Sequence, residues 1–293
     1  MIREPDFSYG RFFVSPILGC SAKCKFCYIY SEGYKAKAQI NAFSIEETID
    51  YLLNHRHFVP GRNGNIISIG AWGDIFPKGD QTSINISLVY LKELCKLGNP
   101  IQLMSRFEID DEVVDVISKC NQYTGHILYS TSISSFSNFD MYESNVSSPI
   151  DRLKVIQKLN ENDVKTNVMI KPFIHGVTDK DLELFLENFK KYEVKVCVVG
   201  KLVVDDLIVS RMKRVDNTSL EDTLEPLDCT SGSLLHTSSS DGFNEFTKAL
   251  GSIGVKVFHK SSCVNSYILH RFNDANYKNN DTYGYCIECG ACE

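Results

Sequence analysis

Apolar and polar positions follow two regular patterns along the first two thirds of the chain. Short apolar runs, typical of buried strands, alternate with stretches in which apolar residues recur every three or four positions, as on one helical face. The expected strands cover residues 11–19, 65–70, 101–106, 126–133, 165–174 and 193–204. The expected helices start near Ser44, Ser83, Asp110, Ser148 and Asp179. Six strands alternating with helices predict a parallel sheet built by right-handed crossovers.

Local signals support two of these helix starts. Ser44 and Glu47 have the spacing of a capping box, and Pro149 follows Ser148 at the first helical position. After Val204 the pattern weakens, and a segment rich in Ser, Thr and Asp follows. We therefore expect a barrel over 1–204, a lid-like insertion or plain surface connection over 205–242, and a β/α unit with a cysteine-rich tail over 243–293.

Composition narrows the choice of protein class. A chain of 293 residues fits one large domain, or a domain with a small appendage. A net charge of −6 provides no whole-chain basic field for nucleic acid, although a local basic channel stays open. The sequence has no apolar run of the roughly 18 residues that a membrane helix needs. The start of the chain lacks the apolar core of a signal peptide, so we expect a cytoplasmic protein.

The cysteines point to metal binding. Their number, eleven, is odd, and most of them are clustered, which in a reducing compartment favours ligation over disulfides. Cys20, Cys24 and Cys27 follow the first expected strand at C-x3-C-x2-C spacing. Soft thiolates suit an iron–sulfur cubane, and three of them would leave one iron open, as in a catalytic metal site. A zinc site or a chance spacing of the three cysteines is the alternative.

This loop resembles the cluster loop of the radical S-adenosylmethionine (radical SAM) superfamily, with Phe26 before the last cysteine and Tyr28 after it. The resemblance implies a [4Fe-4S] cluster whose open iron binds the amino and carboxylate groups of SAM. It also implies one-electron cleavage of SAM to a 5′-deoxyadenosyl radical that abstracts a substrate hydrogen atom. A one-electron reductant such as ferredoxin or flavodoxin is the expected partner. The implied fold is α/β, a partial (β/α)6 TIM-type barrel with a small cysteine-rich extension at its C-terminus.

A second motif follows the second expected strand. The stretch from Gly70 to Pro77, GAWGDIFP, is similar to the glycine-rich motif of the superfamily branch that contains spore photoproduct lyase. Glycines permit close backbone approach and positive φ. The resemblance implies that Gly70, Gly73 and Asp74 hold the amino group of SAM. The alternative is an ordinary turn between a strand and a helix.

Further resemblance to this branch lies at later strand ends. Ser130 and Ser132 end the fourth strand. The segment from Glu143 to Leu153 is similar to the Glu-Pro…Pro…Arg-Leu segment of this branch but lacks the proline after the glutamate. The resemblance implies that Ser130, Ser132 and Arg152 hold the ribose or carboxylate of SAM; an ordinary strand or surface role is the alternative. Lys171 and Lys201 also end strands and are expected to contact SAM carboxylate or substrate.

The tail carries three more cysteines. Cys286, Cys289 and Cys292 form CIECGAC, which resembles half of a bacterial ferredoxin motif. Cys263 follows the last strand and is the expected fourth ligand of a second, auxiliary Fe-S cluster. Structural zinc is the alternative for the same four residues.

The remaining cysteines are assigned by position. Cys229, in the Ser/Thr-rich segment, and Cys197, inside the sixth strand, are candidate hydrogen-atom donors, with ordinary packing as the alternative for both. Cys95 and Cys120 lie on apolar helix faces and are expected to pack in the core.

These features predict an enzyme of radical SAM type. We expect a macromolecular substrate, with peptide modification as the first interpretation and nucleic-acid lesion repair or base modification as the second. A non-catalytic iron–sulfur or zinc protein is the alternative from another class. The Gly70–Asp74 motif argues against it, because an electron carrier has no need to bind the amino group of SAM.

Overall fold

A computed structural model describes residues 1–8, 10–215, 235–236 and 241–271 of the chain. Within these residues the main sheet has eight strands. In this sheet only the first strand runs antiparallel to its neighbour, and the other strand pairs are parallel. The predicted α/β fold with a parallel sheet is therefore confirmed.

The elements have the following bounds. The strands are β1 (Asp6–Ser8), β2 (Arg11–Val14), β3 (Ile17–Leu18), β4 (Gln39–Ile40), β5 (Ile66–Ile69), β6 (Ile101–Ser105), β7 (Ile127–Ser132), β8 (Lys165–Phe173), β9 (Val196–Lys201), β10 (Val203–Val204), β11 (Leu235–His236) and β12 (Lys256–Phe258). The helices are α1 (Ile45–Asn54), α2 (Gln81–Cys95), α3 (Asp111–Cys120), α4 (Phe139–Tyr142), α5 (Pro149–Glu161), α6 (Leu182–Lys191), α7 (Asp206–Lys213), α8 (Asp241–Ser252) and α9 (Ser261–Ile268). The strands of the main sheet lie in the order β1-β2-β5-β6-β7-β8-β9-β12.

The two faces of the sheet differ because side chains alternate along each strand. One row, which includes Ile67, Leu103 and Val168, packs into the main apolar core with helices α1, α2, α3, α5, α6 and α8. The alternate row carries Leu128, Met169 and other apolar residues that pack against α9. The same row also carries a polar layer, the buried and hydrogen-bonded side chains of Gln102, Ser130 and Asn167. The barrel interior is therefore partly apolar and partly polar.

Helix α9 crosses the inner face of the sheet. The helix follows the edge strand β12 in the chain and extends across the sheet to β6. There Asn265 Nδ2 donates to Gln102 Oε1 at 3.2 Å. Arg271, just beyond the helix, donates to the carbonyl oxygen of Gly64 at 2.9 Å, before β5. The sequence analysis did not predict this helix. Its start lies where the strands end and its far end lies where they begin.

The first strand differs from the prediction. A single strand was expected over 11–19, but β2 ends at Val14 and β3 begins at Ile17, on either side of Pro16. Proline has no backbone N–H for a ladder hydrogen bond, so the strand breaks there. β3 pairs with β4 in a small separate sheet, and the cysteine loop follows β3.

Other local signals are confirmed. Ser44 and Glu47 form both hydrogen bonds of the capping box at α1, and Ser148 caps α5 with Pro149 in its first turn. The expected insertion begins with a helix, α7, that the sequence analysis did not foresee. In the ranges that the structure covers, no helix is long and apolar enough to cross a membrane.

Candidate functional site

A cavity of about 550 Å³ opens at the carboxyl ends of the parallel strands. This volume lies within the roughly 300–1,000 Å³ that is usual for small-molecule sites. The cysteine loop, the turn after β5, and the ends of β6, β7, β8 and β9 all contribute to its lining, together with the start of α9. Ligand sites lie beyond the carboxyl ends of strands in folds of this kind. The cysteine loop and the glycine motif, 50 residues apart in sequence, therefore meet at one site.

The cysteine loop is held against the turn after β5. Gly19 N donates to the carbonyl oxygen of Trp72 at 2.8 Å, and Gly19 and Gly73 form a parallel β-bridge. A Cβ atom on Gly73 would lie 2.5 Å from the carbonyl oxygen of Ile17, so only glycine permits this approach. Tyr28 Oη donates to the carbonyl oxygen of Ala71 at 2.7 Å and closes the contact from the other end of the loop.

Packing from other elements fixes the rest of the loop. Ala22, Cys24 and Phe26 belong to a buried apolar cluster with residues of α4 and α7. Arg211, on α7, donates to the carbonyl oxygen of Cys27 at 2.8 Å. Part of the loop is therefore buried, and α7 packs against it.

The three thiols line the cavity together. Burial, followed by the charge of Asp74, raises the pKa of the Cys20 thiol to about 12. Burial also raises the pKa of Cys24, with Cys27 and Cys20 among the lesser causes, so the three thiols lie within electrostatic range of each other. Thiols in such a place stay protonated until a metal takes them as thiolates, and metal binding would release those protons.

The donor set fits an iron–sulfur cluster. Within the described residues, no three His, Cys, Asp or Glu side chains are grouped as ligands of one metal ion. A cubane differs from a single ion because each thiolate bonds a different iron, so its ligands are spread around the cluster. Cys20, Cys24 and Cys27 supply three soft donors around one cavity, which is the set that a cubane with one open iron requires.

The glycine motif lies where the sequence predicts it. Gly70, with φ of +105°, and Gly73 both line the cavity. Asp74 also lines it, but its carboxylate accepts from Ser105 Oγ at 2.7 Å, from Arg106 N at 2.8 Å and from Phe76 N at 3.0 Å. Burial raises the pKa of Asp74 against these hydrogen bonds. Asp74 thus orders the turn itself, in addition to the expected role toward SAM.

Arg152 does not reach the cavity lining. Its guanidinium is fully buried, lies 2.7 Å from Glu143 Oε2, and donates to the carbonyl oxygen of Ser132. Glu143 Oε1 lies 2.6 Å from Arg106 Nη1, so the carboxylate joins two arginines. The expected role of Arg152 in gripping SAM directly does not fit this position. Arg152 instead contacts the backbone of Ser132 from outside the cavity, and Ser132 lines the cavity.

Arg106 is a site residue that the candidate set lacked. It lines the cavity, its guanidinium lies 5.1 Å from the centre of the Phe26 ring, and it donates to the carbonyl oxygen of Lys171 at 2.9 Å. Its charge favours the thiolate forms of Cys24 and Cys27. The signal was its position at the end of the third predicted strand, residues 101–106.

Ser130 lies below the cavity, in the polar layer inside the barrel. It accepts from Gln102 Nε2 at 2.9 Å and donates to Asn167 Oδ1 at 2.5 Å. Arg11 Nη1 donates to the same Gln102 at 3.0 Å. Ser130 is therefore a structural hydrogen-bonding residue in this arrangement, whereas Ser132, two positions further along β7, faces the site.

The other candidate cysteines lie apart from the lining. Cys197 is fully buried in the main apolar core, on the helix-packed face of the sheet, so a hydrogen donor to substrate does not fit this position. Cys263 is buried in the first turn of α9, in the apolar cluster beneath the cavity. Cys229 and the tail residues Cys286, Cys289 and Cys292 lie outside the described residues, so their roles stay predictions.

The cavity lining is cationic. It contains six lysine or arginine residues and, within the described part of the chain, one carboxylate, that of Asp74. Lys171 and Lys201, the two lysines singled out at strand ends, are both among them. Lys260, after the last strand, was not foreseen, although its position follows the same rule. The lining thus differs in sign from the whole chain, whose net charge is −6.

Comparison with known proteins gives structural matches. No protein-family model matches the chain, and no curated protein sequence matches it significantly. A spore photoproduct lyase complexed with dinucleoside spore photoproduct aligns with a TM-score of 0.64 and 13% identity, over 87% of this chain and 78% of the lyase. A point mutant of spore photoproduct lyase aligns with a TM-score of 0.65 and 16% identity, over 88% and 81% of the two chains.

A third structure, anSMEcpe with bound AdoMet and a peptide, aligns with a TM-score of 0.44 and 13% identity, over 64% and 49% of the two chains. That similarity is too low to support a conclusion. The likeness to spore photoproduct lyase, at these identities, shows the fold alone, and it confirms the predicted α/β partial barrel.

Proposed function

We propose that this chain is a radical SAM enzyme. The observation that carries the proposal is the meeting of three thiols and the glycine turn on one cavity at the carboxyl ends of the strands. A [4Fe-4S] cluster bound there would supply the electron that cleaves SAM to a 5′-deoxyadenosyl radical, which takes a hydrogen atom from the substrate. The fold shared with spore photoproduct lyase supports the same interpretation.

The residues of the chain have distinct tasks in this proposal. Cys20, Cys24 and Cys27 hold the cluster, and the backbone at Gly70 and Gly73 receives the amino group of SAM. Ser132 and Lys201 line the cavity and are available to bind the carboxylate or ribose of SAM, and Arg152 holds the carbonyl of Ser132 from outside the cavity.

Other residues shape the surroundings of the cluster. Phe26 and Arg106 cover the thiol side of the cavity, and Tyr28 ties the cysteine loop to the glycine turn. These contacts hold the loop and the turn in place and so help to fix the geometry in which a radical meets its target.

The charge of the cavity bears on the substrate. A peptide was the first expectation, but six cationic side chains in the lining favour an anionic substrate. The spore photoproduct lyase match carries a dinucleoside lesion, which also supports the second expectation, a nucleic-acid substrate. We therefore place nucleic-acid modification ahead of peptide modification.

The proposal is tested by anaerobic reconstitution with iron and sulfide, followed by dithionite and SAM. We expect 5′-deoxyadenosine from the wild-type chain and none from Cys27→Ser. Cys120→Ser, on the outer helix α3, is the matched control and should keep the wild-type yield. A reconstituted wild-type protein that makes no 5′-deoxyadenosine would contradict the proposal, as would full activity in Cys27→Ser.

A further inference from the structure

One corner of the cavity carries more positive charge than SAM requires. Arg11 from β2, Lys171 from β8 and Lys260 at the start of α9 all line it. Arg11 and Lys260 lie within electrostatic range of Lys171, because both disfavour its charged form. SAM brings a single carboxylate together with two cationic groups, so one lysine is sufficient for it. We call Arg11, Lys171, Lys260 and the first turn of α9 the lysine corner.

A helix N-terminus opens onto the same corner. Lys260 is the N-cap of α9, its side chain makes no capping hydrogen bond, and Ser261 and Ser262 line the cavity. The first N–H groups of a helix lack partners within the helix, and its dipole places partial positive charge there. The helix is fixed in place by the hydrogen bond from Asn265 to Gln102. The corner therefore presents fixed N–H groups as well as cationic side chains.

Lys171 is held in position for a ligand. A Cβ on Gly200 would lie 2.3 Å from Lys171 Cε, so the lysine stem runs directly over the glycine backbone. Among the described residues, no hydrogen-bond acceptor or ion-pair partner is found for Lys171 Nζ. Burial and the nearby charges of Arg11 and Lys260 disfavour the charged form of Lys171. An anion beside the Lys171 ammonium would offset that cost.

We propose that the lysine corner is a binding subsite for a phosphate group of the substrate. The inference rests on the proposed function, in which SAM occupies the part of the cavity next to the cysteine loop. A tetrahedral phosphate has several oxygens and suits a helix N-terminus flanked by cations from different elements. A planar carboxylate would use fewer of these donors. The substrate is then a nucleotide, a nucleic-acid strand or another phosphorylated molecule.

The three strands next to the corner provide matched controls. Lys165, Lys195 and Lys256 are exposed at the amino ends of β8, β9 and β12, whereas the cavity lies at the carboxyl ends of the strands. Each loses the same charge as its counterpart when changed to glutamine. Lys260→Gln is therefore compared with Lys195→Gln, because Lys256 lies over the ring of Tyr267 on α9, and Lys171→Gln is compared with Lys165→Gln. Lys260→Arg tests for rescue by a retained charge.

The experiment measures binding by calorimetry to the reconstituted protein with SAM bound, under anaerobic conditions. The probes are inorganic phosphate, a deoxyadenylate hexamer and a hexaglutamate peptide. We expect the hexamer to bind, and Lys260→Gln and Lys171→Gln to weaken it about tenfold or more, as for lost charge-assisted hydrogen bonds. The control variants should stay within about twofold, because surface charges act weakly through salt. Lys260→Arg should restore most of the affinity.

The outcomes separate the possible ligands. Binding of phosphate alone supports the subsite and indicates a small phosphorylated substrate, while tighter binding of the hexamer indicates a strand. Hexaglutamate binding as tightly as the hexamer would overturn the proposal in favour of a carboxylate site. Equal losses in the control variants would also overturn it, because the effect would then come from overall charge.

A separate measurement keeps the two proposals apart. Formation of 5′-deoxyadenosine by the wild-type protein without substrate tests the radical SAM function alone. Phosphate binding without SAM cleavage would contradict the proposed radical SAM function and support the phosphate subsite. SAM cleavage without binding of any phosphate probe would contradict the subsite and support the function.

Discussion

Glu143 joins two arginines beside the cysteine loop. Its carboxylate is fully buried and pairs with Arg106 at 2.6 Å and Arg152 at 2.7 Å. Burial by itself would raise the pKa of Glu143, but Arg152 and Arg106 outweigh it, and the pKa lies below the ordinary value. We expect Glu143→Gln to lower the free energy of unfolding by about 3–5 kcal/mol, because two buried cations lose their counter-charge.

Urea unfolding checks this, with Glu93→Gln as the matched control. Glu93 pairs with Lys96 at the surface, so its loss should cost at most about 1 kcal/mol. The pKa of Glu143 is lower in the folded chain than in the unfolded chain. Its contribution to the free energy of unfolding is therefore fully present at pH values above the unfolded pKa, and is lost as pH falls through the folded pKa. The difference in free energy of unfolding between wild type and Glu143→Gln should therefore decrease in acid. A difference that does not change with pH would show that the charge of Glu143 is not the cause of the lost stability.

Lys171 gives a pH prediction on the alkaline side. Burial, then the charges of Arg11 and Lys260 against the opposing effect of Cys263, lowers the pKa of Lys171 to about 8. Below that pH the Lys171 side chain is charged in both the folded and the unfolded chain, and its charge lowers the free energy of unfolding. This destabilisation disappears as pH rises toward the pKa of the lysine in the unfolded chain. Binding of the deoxyadenylate hexamer should therefore weaken as pH rises above about 8, as the ammonium of Lys171 is lost.

Calorimetry across this range checks the prediction. Lys171→Arg should bind with little change over the same pH range, because an arginine stays protonated. A wild-type affinity that does not change with pH, or a Lys171→Arg protein with the same decline, would show that another group titrates.

At the scale of elements, the contact between the cysteine loop and the turn after β5 sets the site. Gly73→Ala would place a Cβ 2.5 Å from the carbonyl oxygen of Ile17 and 2.6 Å from that of Gly19. Both neighbours are backbone, so the loop must shift, at a cost of about 1–3 kcal/mol. We expect a folded protein that binds clearly less iron than wild type after reconstitution. Iron analysis with circular dichroism measures both quantities.

Gly251→Ala is the control for this variant. Nothing lies within 4 Å of the position of its added Cβ, and it lies in the last turn of α8. It should bind iron as wild type does and be equally or slightly more stable, because alanine favours a helix by up to about 1 kcal/mol. Wild-type iron content in Gly73→Ala would show that the loop and the turn are not tightly coupled.

The parallel strands β2 and β5 to β9 and most of the helices could be predicted from their apolar periods, whereas β1 and β4 were missed. Apart from the four-residue α4, the helices that were missed share a reason. α9 has the sequence SSCVNSYI, in which serine, cysteine and asparagine are weak helix formers, and it is stabilised by packing inside the barrel. α7 follows a strand and carries three charged residues among eight, but it packs on the cysteine loop. Tertiary contacts stabilise both helices, and periodicity does not show such contacts.

The whole molecule shows which site residues a sequence can reveal. Cys20, Cys24 and Cys27 were predictable because their spacing is local, and Ser132 and Lys171 because they end strands. The Glu143 pairs were not, since Arg106 lies 37 residues away along the chain and the Arg152 side chain could equally have faced solvent. The cationic character of the cavity was hidden for the same reason: its lysines come from separate strands in a chain of net charge −6.

The total iron content tests how many clusters the chain holds. Two cubanes would give about eight irons per chain, and the barrel site alone about four. We expect about eight in the wild-type chain and about four when Cys286, Cys289 and Cys292 are all changed to serine, because the tail ligands bind separately from Cys20, Cys24 and Cys27. The measurement is iron and zinc analysis of anaerobically purified protein. About four irons with one zinc in the wild type would replace the auxiliary cluster by a structural zinc site, whereas Cys263→Ser with wild-type iron would remove Cys263 from the ligand set.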